Sequence, residues 1–128
     1  MSIPDNAQAA GPVLAVVGVG LIGGSFAAAI RRAGMVSRVI GVGRNRKSLQ
    51  EARQLGLIDA AVTLEEAAAQ ADYILLAVPV GHTQSILESL RPHLRPETLI
   101  TDAGSTKVNV VQAARAGLGD RIAQFVPG

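Results

Sequence analysis

Val13-Leu14-Ala15-Val16-Val17-Gly18-Val19-Gly20-Leu21-Ile22-Gly23-Gly24-Ser25 decides the reading of this chain. An unbroken apolar run leads into Gly-x-Gly-x-x-Gly, and a helical pattern follows. Such a run, apolar on both faces, suits a strand inside a parallel sheet. In that setting each glycine has a task. Gly18 turns the chain sharply off the strand. Gly20 lets the backbone approach a pyrophosphate with no Cβ in the way. Gly23 lets the following helix pack closely. Gly20, Leu21, Ile22 and Gly23 then bring the helix's free N–H groups and positive dipole end to the phosphates. A glycine-rich turn that binds nothing has the same letters; the strand before and the helix after favour the phosphate-binding turn.

Outward from this stretch, strand and helix patterns alternate. Strands are predicted at 13–17, 38–42, 58–62, 72–78, 98–102 and 121–126. Helices are predicted at 21–33, 47–55, 64–71, 83–90 and 106–116. Thr63 and Ser105 stand where N-caps belong, and Gly34, Gly56 and Gly117 stand where helices stop. Repeated strand–helix units with right-handed crossovers predict an α/β fold, a Rossmann-type doubly wound parallel sheet of six strands in the order 3-2-1-4-5-6. Residues 1–12 are polar and read as a flexible tail. Residues 13–128 read as one dinucleotide-binding domain.

The bulk properties agree with a globular domain. The chain has 128 residues, of which 48% are hydrophobic. Twelve Lys and Arg against ten Asp and Glu leave a net charge of +2, scattered along the sequence. The aromatic residues are Phe26, Tyr73 and Phe125, so no stacking platform for nucleic acid is visible. Cysteine is absent, which removes disulfides and thiolate metal sites and fits a reducing cytoplasm. No apolar run reaches the roughly 18 residues that span a bilayer. The expectations are no nucleic acid, no membrane and no metal.

The second strand bears on the choice of dinucleotide. An acidic residue about twenty positions past the third glycine grips the ribose 2′-hydroxyl of NAD. Here that position holds Gly43, and Arg44, Asn45, Arg46 and Lys47 follow. A 2′-phosphate is repelled by a carboxylate and welcomed by a guanidinium. NADP is therefore expected, with NAD left open. Arg44 stacking on the adenine without choosing between the two, or ordinary solvated loop charges, fit the same letters.

Two more loops follow strand ends. After the fourth strand, Val78, Pro79 and Val80 are placed to pack on the cofactor, and Thr83 to donate to one of its oxygens or to cap a helix. His82 sits nearby and reads as a surface residue; His93 has no assigned role. After the fifth strand come Asp102, Ala103, Gly104 and Ser105. Gly104 lets the backbone approach the nicotinamide, and Ser105 either bonds substrate or carboxamide or caps a helix. No Gly-x-Ser-x-Gly elbow is present, which removes a serine hydrolase.

Taken together, the glycine turn from Gly18 to Ser25, the segment Ala77-Val78-Pro79-Val80 and the segment Thr101-Asp102-Ala103-Gly104-Ser105-Thr106-Lys107 resemble the cofactor domain of the prephenate/arogenate dehydrogenase family. The Asp-x-Gly-Ser-x-Lys segment is the more specific of the three. The resemblance implies a homodimeric enzyme of tyrosine biosynthesis with a helical C-terminal domain, absent here. It implies oxidative decarboxylation of prephenate or arogenate, with hydride passing to the nicotinamide. Ser105 carries over as the serine that assists a catalytic histidine. That histidine follows the sixth strand in the family, and this chain ends at Gly128 just before it. The expectation is a chain that binds cofactor and does not turn over. Members with a small residue followed by Arg at the 43–44 position resemble NADP users. Two other readings share the opening turn: a β-hydroxyacid dehydrogenase or imine reductase, and a stand-alone nucleotide-sensing domain. The Asp102–Lys107 segment counts against the first, and Gly43 with Ser105 against the second.

Overall fold

The computed structural model describes residues 12–18, 21–102 and 114–126. Among them, β1 (Val13–Val17), β2 (Arg38–Val42), β3 (Ala60–Ala61), β4 (Tyr73–Leu76), β5 (Leu99–Asp102) and β6 (Phe125–Val126) form one sheet in the order β3-β2-β1-β4-β5-β6. Every neighbouring pair is parallel. The crossovers carry α1 (Leu21–Arg32), α2 (Arg46–Gln54), α3 (Leu64–Gln70) and α4 (Val80–Leu90), and residues 114–118 are also helical.

Side-chain alternation along the strands sorts the core into two clusters. Leu14, Val16 and Leu75 face one side, with Ala27 of α1 and Ala52 of α2. Ala15, Val17, Ile74 and Leu76 face the other, with Ala67 of α3, Leu87 of α4 and Leu118. Strand order reverses at β1, and right-handed crossovers then move the helices from the first face to the second. This reversal opens a crevice at the carboxyl ends of β1 and β4. On the α1/α2 side, α1 reaches β4 at Leu75, and no described helix follows over β5 and β6. Tyr73, Leu99 and Val126 lie on that side, 43%, 44% and 49% exposed.

The amino ends of the strands are tied by two aspartates. Asp72 accepts the Val13 N–H at 2.8 Å and Arg95 Nη2 at 2.6 Å. Asp59 accepts the Val39 N–H at 2.8 Å and Arg31 Nη2 at 2.6 Å.

Some predicted boundaries are corrected. Residues 119–124 form a 3-10 helix, so the sixth strand shrinks to Phe125–Val126. The reason is Gln124, whose Nε2 donates to the carbonyls of Arg95 and Thr98 at 2.9 and 2.8 Å and ties a helical turn to the residues just before β5. Gly117 does not stop its helix, which runs on through Leu118. A Cβ there would lie 2.8 Å from Leu87 Cβ, so this glycine serves close packing against α4. The helix after β4 starts at Val80, ahead of the predicted residue 83. The third strand is two residues long, although Asp59 and Val62 N–H groups still bond to the Val39 and Gly41 carbonyls. The start predicted at 106, with Ser105 as its cap, lies outside the described residues.

Candidate cofactor-binding site

Beyond the carboxyl ends of β1, β2 and β4 lies a hollow of about 600 Å³. Five predicted residues share its wall: Gly18, Gly43, Arg44, Val78 and Pro79. Gly18 adopts φ +87°, and its N–H donates to the Val42 carbonyl at 2.7 Å. A Cβ on it would stand 2.5 Å from the Ala77 carbonyl oxygen. The glycine thus lets three strand ends converge where a side chain would hold them apart.

The electrostatics follow from composition. None of the described residues in the wall is acidic; Arg44 and His82 are its ionisable side chains. At Gly43, by contrast, an added Cβ would find the Leu49 side chain, nearest at Cδ2 3.5 Å away, an ordinary contact. The lack of a carboxylate there is a matter of sequence and not of space.

The remaining predicted residues are distributed as follows. Leu21, Ile22 and Gly23 open α1, and Val80 opens α4. Asn45 is the N-cap of α2, its Oδ1 accepting from the Lys47 and Ser48 N–H groups at 2.9 and 3.2 Å. Arg46 borders a different hollow, with Leu49 and Arg53. Thr83 is buried at 2% exposure, one turn into α4, and is not part of the wall. Asp102 closes β5, buried and in register with Leu76. Gly20, Gly104 and Ser105 lie outside the described residues.

Eight of the thirteen residues of this wall carry no site assignment from the sequence. Leu64 enters from α3, and Ser85, Ile86 and Ser89 enter from α4 beside His82. Positions 82, 85, 86 and 89 share one helix face by spacing, a signal present in the sequence. Leu64 had no such signal, because its place depends on how α3 crosses the sheet. Another hollow, of about 510 Å³ and lined by Glu88, Arg91 and Asp120, shares no residue with this one. Among the described residues, no group of three or more His, Asp or Glu side chains is placed to hold a metal. None of the described helices is long and apolar enough to cross a membrane.

Residues 26–128 match the family model described as prephenate dehydrogenase, nucleotide-binding domain. The chain belongs to that family. As a prephenate dehydrogenase nucleotide-binding domain, it is 36% identical over 115 residues to a prephenate dehydrogenase of Lactococcus lactis, covering 88% of this chain and 32% of the relative. The crystal structure of an A. aeolicus prephenate dehydrogenase with hydroxyphenyl propionate and NAD+ superposes with a TM-score of 0.80 at 32% identity, over 91% of this chain and 40% of that one. A Synechocystis arogenate dehydrogenase gives 0.74 at 34% identity, over 84% of this chain and 38% of that one. The chain spans about a third of the length of the curated relatives it matches. The family match favours the prephenate dehydrogenase nucleotide-binding domain over the two other readings that share the glycine turn.

Proposed function

We propose that this domain holds NADP for a dehydrogenase acting on prephenate or arogenate. The observation that carries the cofactor reading is the hollow itself. It joins Gly18, Gly43 and Arg44 in one wall without an acidic side chain among its described residues. The residues present fit a dinucleotide. Gly18 clears space at the turn, and the start of α1 offers N–H groups to phosphate. Val78 and Pro79 supply apolar surface to a ribose, and Arg44 supplies a bidentate cation to a 2′-phosphate.

Bound there, the dinucleotide supplies the hydride acceptor for an oxidative decarboxylation. Ser105 would orient the ring hydroxyl whose proton is removed, and Gly104 would let the backbone approach the nicotinamide. Asp102 ends β5 at the start of that loop and would anchor it. The same reading takes residues 13–128 as one domain and the complete enzyme as a cytoplasmic homodimer.

Calorimetric titration with NADP and with NAD tests the cofactor claim. Arg44 should favour NADP by about 1.5–3 kcal/mol, the scale of a charge-assisted hydrogen bond. Arg44→Ala should remove that preference and leave NAD affinity nearly unchanged. Equal affinities in the wild type would overturn the NADP assignment. Binding of neither nucleotide would overturn the dinucleotide reading of the hollow.

A further inference from the structure

We propose that Ser85 and Ser89 select the base of the dinucleotide, accepting hydrogen bonds from the six-position amino group of adenine. The proposal rests on the dinucleotide reading above and concerns a part of the hollow that reading leaves unused. The two serines are four residues apart on α4 and both line the hollow, with Ile86 between them in the same wall. Their protons are already committed. Ser85 Oγ donates to the His82 carbonyl at 3.1 Å, and Ser89 Oγ donates to the Ser85 carbonyl at 3.1 Å. A hydroxyl whose proton is engaged keeps its oxygen lone pairs. On this wall each serine is therefore an acceptor.

The rest of the wall suits a flat base. Leu64, Val78 and Ile86 are apolar and offer surface for a ring to lie against. Adenine carries an amino donor at its six position, whereas guanine and hypoxanthine carry a carbonyl acceptor there. A carbonyl facing these serines goes unpaired unless a hydroxyl leaves its helix carbonyl. Either outcome costs affinity, and a site that rejects an unpaired polar group discriminates well. His82 can donate or accept through its ring and does not fix the choice.

The test compares NADP with nicotinamide hypoxanthine dinucleotide phosphate by calorimetry, on the wild-type chain and on the Ser85→Ala/Ser89→Ala variant. Both serines are exposed on a helix, and alanine is the best helix former, so the variant should fold. The wild type should bind the hypoxanthine compound about ten-fold more weakly than NADP, and the variant should bind the two within about two-fold. The NADP-to-NAD ratio should be the same in both proteins, since it depends on Arg44. Equal affinity of the wild type for the two bases would overturn the proposal and leave the dinucleotide site standing. So would a base preference that survives the double substitution. Failure of every dinucleotide to bind would overturn both readings at once.

Discussion

Gly18 and Ala77 approach so closely that a methyl group on Gly18 would lie 2.5 Å from the Ala77 carbonyl oxygen. Residue 18 also needs a left-handed φ of +87°. Gly18→Ala therefore meets two penalties: conformational strain, and a clash with backbone that cannot swing aside. We expect a loss of about 2–4 kcal/mol of stability, read by denaturant unfolding, and loss of dinucleotide binding. A variant that kept wild-type stability would show that β1 and β4 can separate at their carboxyl ends without cost.

Gly43→Asp probes the cofactor choice from the other side. The added Cβ finds room beside Leu49, so the fold should tolerate it. A carboxylate there repels a 2′-phosphate and bonds to a 2′-hydroxyl. The expected outcome is a reversal of preference from NADP to NAD in calorimetric titration, with the thermal midpoint little changed.

Asp72 makes stability depend on pH. Burial raises its pKa, but the Val13 N–H, the Arg95 hydrogen bond and the Arg95 charge outweigh this, and the net shift is below the ordinary value of 3.8. A carboxyl with a depressed folded pKa contributes stability above its unfolded pKa and loses it as pH falls through the folded pKa. The advantage of wild type over Asp72→Asn should thus be constant near neutrality and shrink once the pH drops below about 4. Urea unfolding between pH 7 and 2.5 measures it. A gap independent of pH over that range would mean that the ionised carboxylate adds nothing beyond what the amide provides.

The exposed apolar side of β4, β5 and β6 predicts a colloidal property. Tyr73 and Leu99 are register partners there, with Val126 on β6 and Phe26 of α1 also exposed. Patches of this kind drive association. The isolated chain should bind an anilinonaphthalene dye and self-associate as its concentration rises. Leu99→Lys should reduce both while changing stability by no more than about 0.5 kcal/mol, as for other exposed positions. Sedimentation velocity checks the first effect and urea unfolding the second.

Most of the fold was legible because its signals are local. Val13–Val17 and Arg38–Val42 were found to the residue, since unbroken apolar runs between turns carry their own boundaries. Thr63 reads as a helix opening, and the structure adds Glu66 as its reciprocal partner in a capping box. Gly117 misled because a glycine that permits close packing against Leu87 looks the same in sequence as one that ends a helix. Residues 121–124 misled because their conformation is imposed by the distant carbonyls of Arg95 and Thr98.

The sequence by itself determined the strand order, because alternating apolar segments, glycine turns and right-handed crossovers leave few ways to wind a parallel sheet. It also determined that the hollow would hold Gly18, Gly43 and Arg44, since these stand at the carboxyl ends of strands flanking the point where the order reverses. Only the tertiary structure decided the other wall. Leu64 and the 85–89 face of α4 come from crossovers more than twenty residues beyond Gly43. The angle at which α3 and α4 pack on Ala15, Val17 and Leu76 is set by side-chain contact, which no local pattern encodes.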